Sequence, residues 1–257
     1  MTAEGAERTT GAARSGGRAA FFDVDETLIT RKSMLSFLRA YYGWIGCPEA
    51  EAEEAVSALK DTAAGPGGRA ASNRAYYRLF AGQRVADVAA AGQRWFDDGL
   101  RAGGLFHQPV LRALRRHRAN GDLIVLVSGS FSACLDPVAG HVDADVALGT
   151  VPETSGGRYT GEVRQVRIGA GKAAAVTEVL RDRGLRAGEC HAYGDHASDL
   201  DLLSQVGHPV VVGEDPTLLE RARVKGWRRL PGISSATPPG PSGVADGTRS
   251  EHGISGR

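Results

Sequence analysis

The chain has 257 residues, 42% of them hydrophobic, enough apolar side chain for one sizeable core with a smaller appended unit. Its 31 basic and 30 acidic residues leave a net charge of +1, so no large field draws it onto nucleic acid or a membrane. The three cysteines, Cys47, Cys134 and Cys190, lie far apart and outside any CxxC spacing. That argues against a disulfide framework or a zinc knuckle and suits a reducing cytoplasm.

Residues 1–18 are small and polar, lack the apolar h-region of a secretory signal, and are expected to be a disordered tail. No later run approaches membrane-spanning length. The stretch AAFFDVDETLI, residues 19–29, reads as a buried strand that carries Asp23 and Asp25 at its end. Isolated buried carboxylates cost several kcal/mol, so these two need a strong partner. From 31 to 105 the rhythm becomes helical: Met34, Leu35, Phe37, Leu38, Tyr41, Tyr42 and Ile45 recur at three- and four-residue steps. EAEEAVSALKDTAA, ASNRAYYRLFAG and VADVAAAGQRWFDDGL continue the pattern between breaks such as AGPGG, which predicts a helical bundle inserted after the first strand.

From residue 110 helices and strands alternate. VLRALRRHRANG is a predicted helix, DLIVLVSGS a short buried strand and SACLDPVAG a helix. DVALGTVPETSGGRYTGEV reads as one β-hairpin with its turn at Ser-Gly-Gly, and GKAAAVTEVLRDRGL as a helix. CHAYGD, HPVVVG and WRRL supply further strands, with helices near 198–205 and 215–225. From 232 the chain is rich in Gly, Pro and Ser and is expected to be a second disordered tail. The expected fold class is α/β, a doubly wound, mainly parallel Rossmann-like sheet with an inserted α-helical bundle and a small β-hairpin. Residues 19–30 and 106–231 would form the catalytic core, and 31–105 the inserted cap.

In such sheets ligands bind beyond the carboxyl ends of the strands. The polar residues found there are Asp23, Asp25 and Thr27 after the first strand and Ser128 with Gly129 after the second. Asp195 and Asp199 follow a later strand, and Lys172 opens a helix. Four carboxylates cannot share one rim without a cation, because like charges force protonation. A hard divalent ion such as Mg²⁺ with oxygen ligands answers this, and Lys172, Ser128 and glycine-turn N–H groups suit a phosphoryl group. Metal-assisted phosphate chemistry is the expectation from the residues alone.

DVDET is similar to the DxDx[TV] signature of the haloacid dehalogenase superfamily. VSGS resembles its second motif, Lys172 its third, and GDHASD its fourth. The motifs occur in order over roughly residues 19–230, and the helical insertion resembles the cap of the phosphoserine-phosphatase-like branch, subfamily IB. The resemblance implies a Mg²⁺-dependent phosphomonoesterase that hydrolyses a small metabolite through an aspartyl-phosphate. Asp23 would be the nucleophile, and Asp25 the acid and base. Asp23, the Asp25 backbone carbonyl, Asp195 and Asp199 would hold the metal; Ser128, Gly129 and Lys172 would bind the phosphoryl oxygens.

Competing readings accompany these assignments: a helix-start lysine for Lys172, an ST-turn for Ser128, and a turn-stabilising role for Thr27. His196 stands where the family usually has a small residue and reads as a surface histidine; Asp201 reads as a solvent-facing acid. Phosphoserine phosphatases of this branch place a glutamate near position 32, where this chain has Lys32 beside Arg31. A cation there favours an anionic or polyhydroxylated substrate over an amino acid's ammonium. Arg74 is a candidate cap residue for the substrate, against an ordinary solvated helix arginine. A phosphotransferase, a phosphoserine phosphatase and a phospho-accepting binding module are the alternatives. The expected partner is a small phosphate ester, with no nucleic acid and no membrane.

Overall fold

AAFFD forms a strand, β1 (Ala19–Asp23), that is buried at every residue. Alternation at period two sends Ala20 and Phe22 into one apolar cluster and Ala19 and Phe21 into another, on opposite faces of the sheet. The computed structural model describes residues 17–233, so of the tails expected at 1–18 and 232–257 all but residues 17, 18, 232 and 233 lie outside the described residues. Arg18, assigned to the tail from sequence, donates from Nε to Asp122 at 3.0 Å.

The further strands are β2 (Leu123–Val127), β3 (Val146–Leu148), β4 (Val151–Ser155), β5 (Arg158–Gln165), β6 (His191–Gly194), β7 (His208–Val212) and β8 (Arg228–Leu230). Four helices follow β1 directly: α1 (Ser33–Trp44), α2 (Glu49–Ala64), α3 (Gly68–Arg78) and α4 (Val85–Ala102). The rest are α5 (Gln108–Ala119), α6 (Ser132–His141), α7 (Ala170–Asp182), α8 (Leu200–Leu203) and α9 (Pro216–Lys225). Local chemistry sets their limits. At α9, for example, the Asp215 carboxylate accepts the Leu218 N–H at 3.0 Å, Pro216 occupies the first turn, and Gly226 ends the helix in the left-handed region.

The main sheet is parallel throughout, in the order β3-β2-β1-β6-β7-β8. Apolar residues of α5 and α6 join the cluster on one face, and those of α7, α8 and α9 the cluster on the other. The fold is therefore a doubly wound α/β sheet. Its topological switch point falls between β1 and β6, where helices depart to opposite faces and a crevice opens at the strand ends.

The segment DVALGTVPETSGGRYTGEV differs from the single hairpin expected. Val146 to Leu148 instead extend the main sheet, pairing in parallel with β2, because two buried apolar side chains can cover its edge there. The hairpin is only β4 and β5, turned by Gly156 and Gly157 at positive φ. It buttresses the inserted helices: the Gly82 N–H bonds the Tyr159 carbonyl at 2.8 Å, and the Tyr159 N–H bonds the Gln83 carbonyl at 3.0 Å.

Aromatic packing fixes the insertion over the sheet. Phe131, just before α6, lies 5.9 Å from Phe37, 6.0 Å from Tyr76, 5.3 Å from Tyr77 and 5.7 Å from Phe80, ring centre to ring centre. The inserted helices thereby roof the carboxyl ends of β1 and β2.

Candidate active site

Beyond Asp23 the chain turns sharply: the Leu28 and Ile29 N–H groups both bond the Val24 carbonyl at 2.9 Å, and Glu26 adopts φ +62°. A non-glycine residue in this region is uncommon and marks a turn held by its surroundings. The turn leaves Val24 buried and carries Asp25 to the start of α1, where its Oδ1 accepts the Ser33 N–H at 2.6 Å. Burial raises the pKa of the Asp25 carboxyl, and the hydrogen bonds from Ser33 oppose that shift.

Across the switch point, β6 ends at Gly194, and the chain folds back through a tight 3-10 turn at Ala197–Asp199. A Cβ on Gly194 would sit 2.7 Å from the Asp199 Cβ, so only glycine lets Asp199 approach the strand this closely. The Asp199 Oδ2 accepts the N–H groups of Asp195 at 3.3 Å and His196 at 3.2 Å. It both caps the turn and faces the site.

Lys172, in the first turn of α7, is buried and connects the two acidic segments. Its Nζ donates to Asp23 Oδ1 at 2.5 Å and to Asp199 Oδ1 at 2.6 Å. Burial alone would lower the lysine pKa; contact with Asp199 and Asp23 outweighs it and keeps the ammonium charged. Burial and then the Asp199 charge push the Asp23 carboxyl well above its usual range, against the pull of Lys172. The same two causes raise Asp195 to about 6. One ammonium does not balance this set of acids.

Carboxylate oxygens of Asp23, Asp195 and Asp199 lie within 4.8 Å of one another, the only such group of His, Cys, Asp or Glu ligands among the described residues. An all-oxygen, poorly neutralised donor set fits a hard divalent cation. The Asp25 carboxylate stays outside this cluster.

A cavity of about 230 Å³ opens above these groups and is lined by Asp23, Asp25, Gly129, Lys172, Asp195 and Asp199. Ser128 lies behind the lining, fully buried, where its Oγ accepts the Ser130 N–H at 3.0 Å. The Gly129 carbonyl is held by Asn73 Nδ2 and Thr150 Oγ1, each at 2.8 Å. Lys32 lines the cavity and pairs with Glu26 at 3.3 Å. His196 is exposed, as expected, yet also lines the cavity, and its Nδ1 accepts the Ser198 N–H at 3.0 Å.

Arg74 is exposed on α3 and does not line the cavity. The cavity arginine is Arg69, and Lys60, Asn73 and Tyr76 line the same wall, none of them singled out from sequence. Helical periodicity contained the signal. Asn73, Tyr76 and Tyr77 form the buried face of α3; Arg69 lies one turn before Asn73 on that face, whereas Arg74 is rotated off it.

The haloacid dehalogenase-like hydrolase family model matches residues 20–204. A Mycobacterium tuberculosis protein named "Probable phosphatase" is 29% identical over 255 residues, 95% of this chain and 87% of its own. Phosphoserine phosphatase SerB1 of the same organism is 29% identical over 218 residues, 81% of this chain and 69% of its own. A solved structure of a protein with unknown function from Bordetella pertussis Tohama I is similar at a TM-score of 0.74 and 28% identity, covering 83% of this chain and 97% of that one.

Proposed function

Because the chain belongs to the haloacid dehalogenase-like hydrolase family, we propose that it is a phosphatase that hydrolyses a phosphomonoester of a small metabolite through an aspartyl-phosphate on Asp23. One observation carries this reading: a cluster of buried Asp23 and Asp199 with half-buried Asp195, gathered around Lys172, shares a cavity with Asp25, a second carboxyl of raised pKa. The relatives named as phosphatases support it.

Asp23 attacks phosphorus, and its Oδ–P bond forms as the ester P–O bond breaks. Asp25 gives its proton to the departing alkoxide. It then takes a proton from the water that cleaves the aspartyl-phosphate, which releases inorganic phosphate and restores both acids. A carboxyl raised by burial holds its proton closer to neutral pH, as the first step needs. Lys172 and the Gly129 backbone bind the phosphoryl oxygens, and Ser128 orders the turn that presents Gly129. Asp23, Asp195, Asp199 and the Asp25 carbonyl would hold Mg²⁺, which when bound offsets charge on the phosphoryl group. The inserted helices act as a cap that excludes water. No helix among the described residues is long and apolar enough to cross a membrane, and the three cysteines are free, which suits a cytoplasmic enzyme.

Phosphate release from an aryl phosphate with Mg²⁺ tests the reading. Asp23→Asn should lower the rate by at least ~10³-fold, as loss of a covalent nucleophile does, and Asp25→Asn by ~10²–10⁴-fold. Folded protein that releases no phosphate from any ester, or a fully active Asp23→Asn, would refute it.

A further inference from the structure

The carbonyl of Gly129, in the turn after β2, draws hydrogen-bond donors from two parts of the chain. It accepts from Asn73 Nδ2 and from Thr150 Oγ1, each at 2.8 Å, and the Tyr77 hydroxyl lies 3.5 Å away. A carbonyl oxygen has two lone pairs, so Asn73 and Thr150 saturate it. The other end of the same peptide is also held: the Ser130 N–H donates to Ser128 Oγ at 3.0 Å. Glycine has the widest backbone freedom of any residue, so these outside bonds set the plane of the peptide.

Thr150, between β3 and β4, is buried and belongs to the sheet. Its N–H donates to the Ser130 carbonyl at 2.7 Å, and its Oγ1 accepts the Arg167 N–H at 3.2 Å, in the segment that leads to Lys172. One side chain thus ties together the two pieces of backbone that carry Gly129 and Lys172. Asn73, by contrast, is a buried residue of α3, within the insertion. A carbonyl can only accept, so the Asn73 amide must turn its Nδ2 toward Gly129. The insertion therefore reaches past its own packing and grips the turn that lines the cavity.

Resting on the phosphatase reading above, we infer that Asn73 is a positioning residue for phosphate binding: with the insertion seated over the sheet, its amide completes the hold on the Gly129 carbonyl, and only then does the turn take its phosphate-binding form. Thr150 supplies the half of the hold that belongs to the sheet, and Asn73 the half that travels with the insertion. The phosphoryl group thus meets a finished turn only beneath a closed cap, where water is excluded. Asn73 acts on backbone rather than on the leaving alcohol, so its effect should be the same for every ester.

Calorimetric titration of inorganic phosphate into the Mg²⁺-loaded protein tests this, beside kcat/KM for an aryl and an alkyl phosphate. Asn73→Asp keeps the side-chain shape and sets an acceptor against an acceptor; Asn73→Ala removes the donor without adding charge and replaces it if Asn73→Asp does not fold. Either should weaken phosphate binding about tenfold, the scale of one lost hydrogen bond, and lower kcat/KM alike for both esters. The Mg²⁺ midpoint measured without phosphate should stay where it is, because the amide bonds Gly129 and not the acids. Thr150→Val should weaken phosphate similarly, and Thr150→Ser should recover most of the loss. Since both residues hold one carbonyl, the Asn73→Ala/Thr150→Val double variant should lose less than the product of the single losses. A lowered melting temperature with phosphate affinity unchanged, or an equal loss of Mg²⁺ affinity, would show that Asn73 only packs the insertion and overturns the inference. Hydrolysis of an aryl phosphate by the wild type in that case leaves the phosphatase reading standing, whereas a wild type that neither binds phosphate nor hydrolyses any ester removes both.

Discussion

Thr27 has no exposed surface, and its hydroxyl lies 2.8 Å from Asp195 Oδ1 and 3.1 Å from Asp23 Oδ2, its one proton shared between two carboxylates. Its hydrogen bond holds the Asp195 pKa down against burial and the neighbouring Asp199. Replacing it with the isosteric valine removes that donor while the core stays filled. If Asp23 and Asp195 hold Mg²⁺ as proposed, Thr27 orients metal ligands, and such groups typically matter 10–100-fold in metal affinity or activity. Thr27→Val should therefore raise the Mg²⁺ concentration for half-maximal activity by about that factor, with Thr27→Ser recovering most of it. A Mg²⁺ titration with the same midpoint in wild type and Thr27→Val would show that the hydroxyl only shapes the turn, the modest role its sequence position suggests. At this scale Asp23, Asp25, Asp195, Asp199 and Lys172 were legible, because an acid at the end of an apolar strand conflicts with its surroundings. Arg69 and Lys60 were not, because an arginine or lysine on an amphipathic helix is ordinary until it is known what the helix faces.

Parallel pairing places His191, which opens β6, directly opposite His208, which opens β7, with ring centres 4.7 Å apart. His117 on α5 approaches the other side of His191 at 4.5 Å. His117 is itself committed, with Nδ1 bonded to Asp122 at 2.7 Å and Nε2 to the Tyr193 hydroxyl at 2.9 Å. Burial first, then the His117 and His208 charges, lower the His191 pKa from 6.5 to about 4, against the pull of Asp122. Between those values the unfolded chain binds a proton that the folded chain does not, so stability should fall as pH drops from about 6.5 to about 4. His191→Gln removes this contribution, and its denaturation midpoint should drop less steeply than wild type over that window. Parallel slopes for the two proteins would contradict the assignment. Such a stack depends on strand neighbours that no local pattern reveals. The same blindness explains why β3 was folded into the hairpin: a short apolar run does not state which edge it will cover.

Across the whole molecule, the crevice of the candidate active site was the most legible feature. Each motif follows a strand or opens a helix, and the strand order brings β1 beside β6, which puts Asp23 and Asp195 at one switch point. How the inserted helices dock was not legible. Their apolar stripes predict burial without naming a partner, and that partner proves to be a single cluster continuous with one face of the sheet. Phe131 joins the two parts, touching Phe37, Tyr76, Tyr77 and Phe80 from the insertion and Tyr159 from the hairpin. A buried Phe→Ala change costs about 3–5 kcal/mol, and here the loss falls on the joint that holds Arg69 and Asn73 over Asp23. The tryptophans report the parts separately: Trp44 and Trp95 lie in α1 and α4, and Trp227 lies between α9 and β8. In urea, Trp227→Phe protein should report the insertion, and a Trp44→Phe/Trp95→Phe double variant the sheet. Both should unfold at one midpoint while Phe131 is present. Phe131→Ala should lower both midpoints and separate them, with the insertion melting first. Coincident midpoints in the Phe131→Ala background would show that contacts elsewhere along the cluster suffice to keep the insertion and the sheet one cooperative unit.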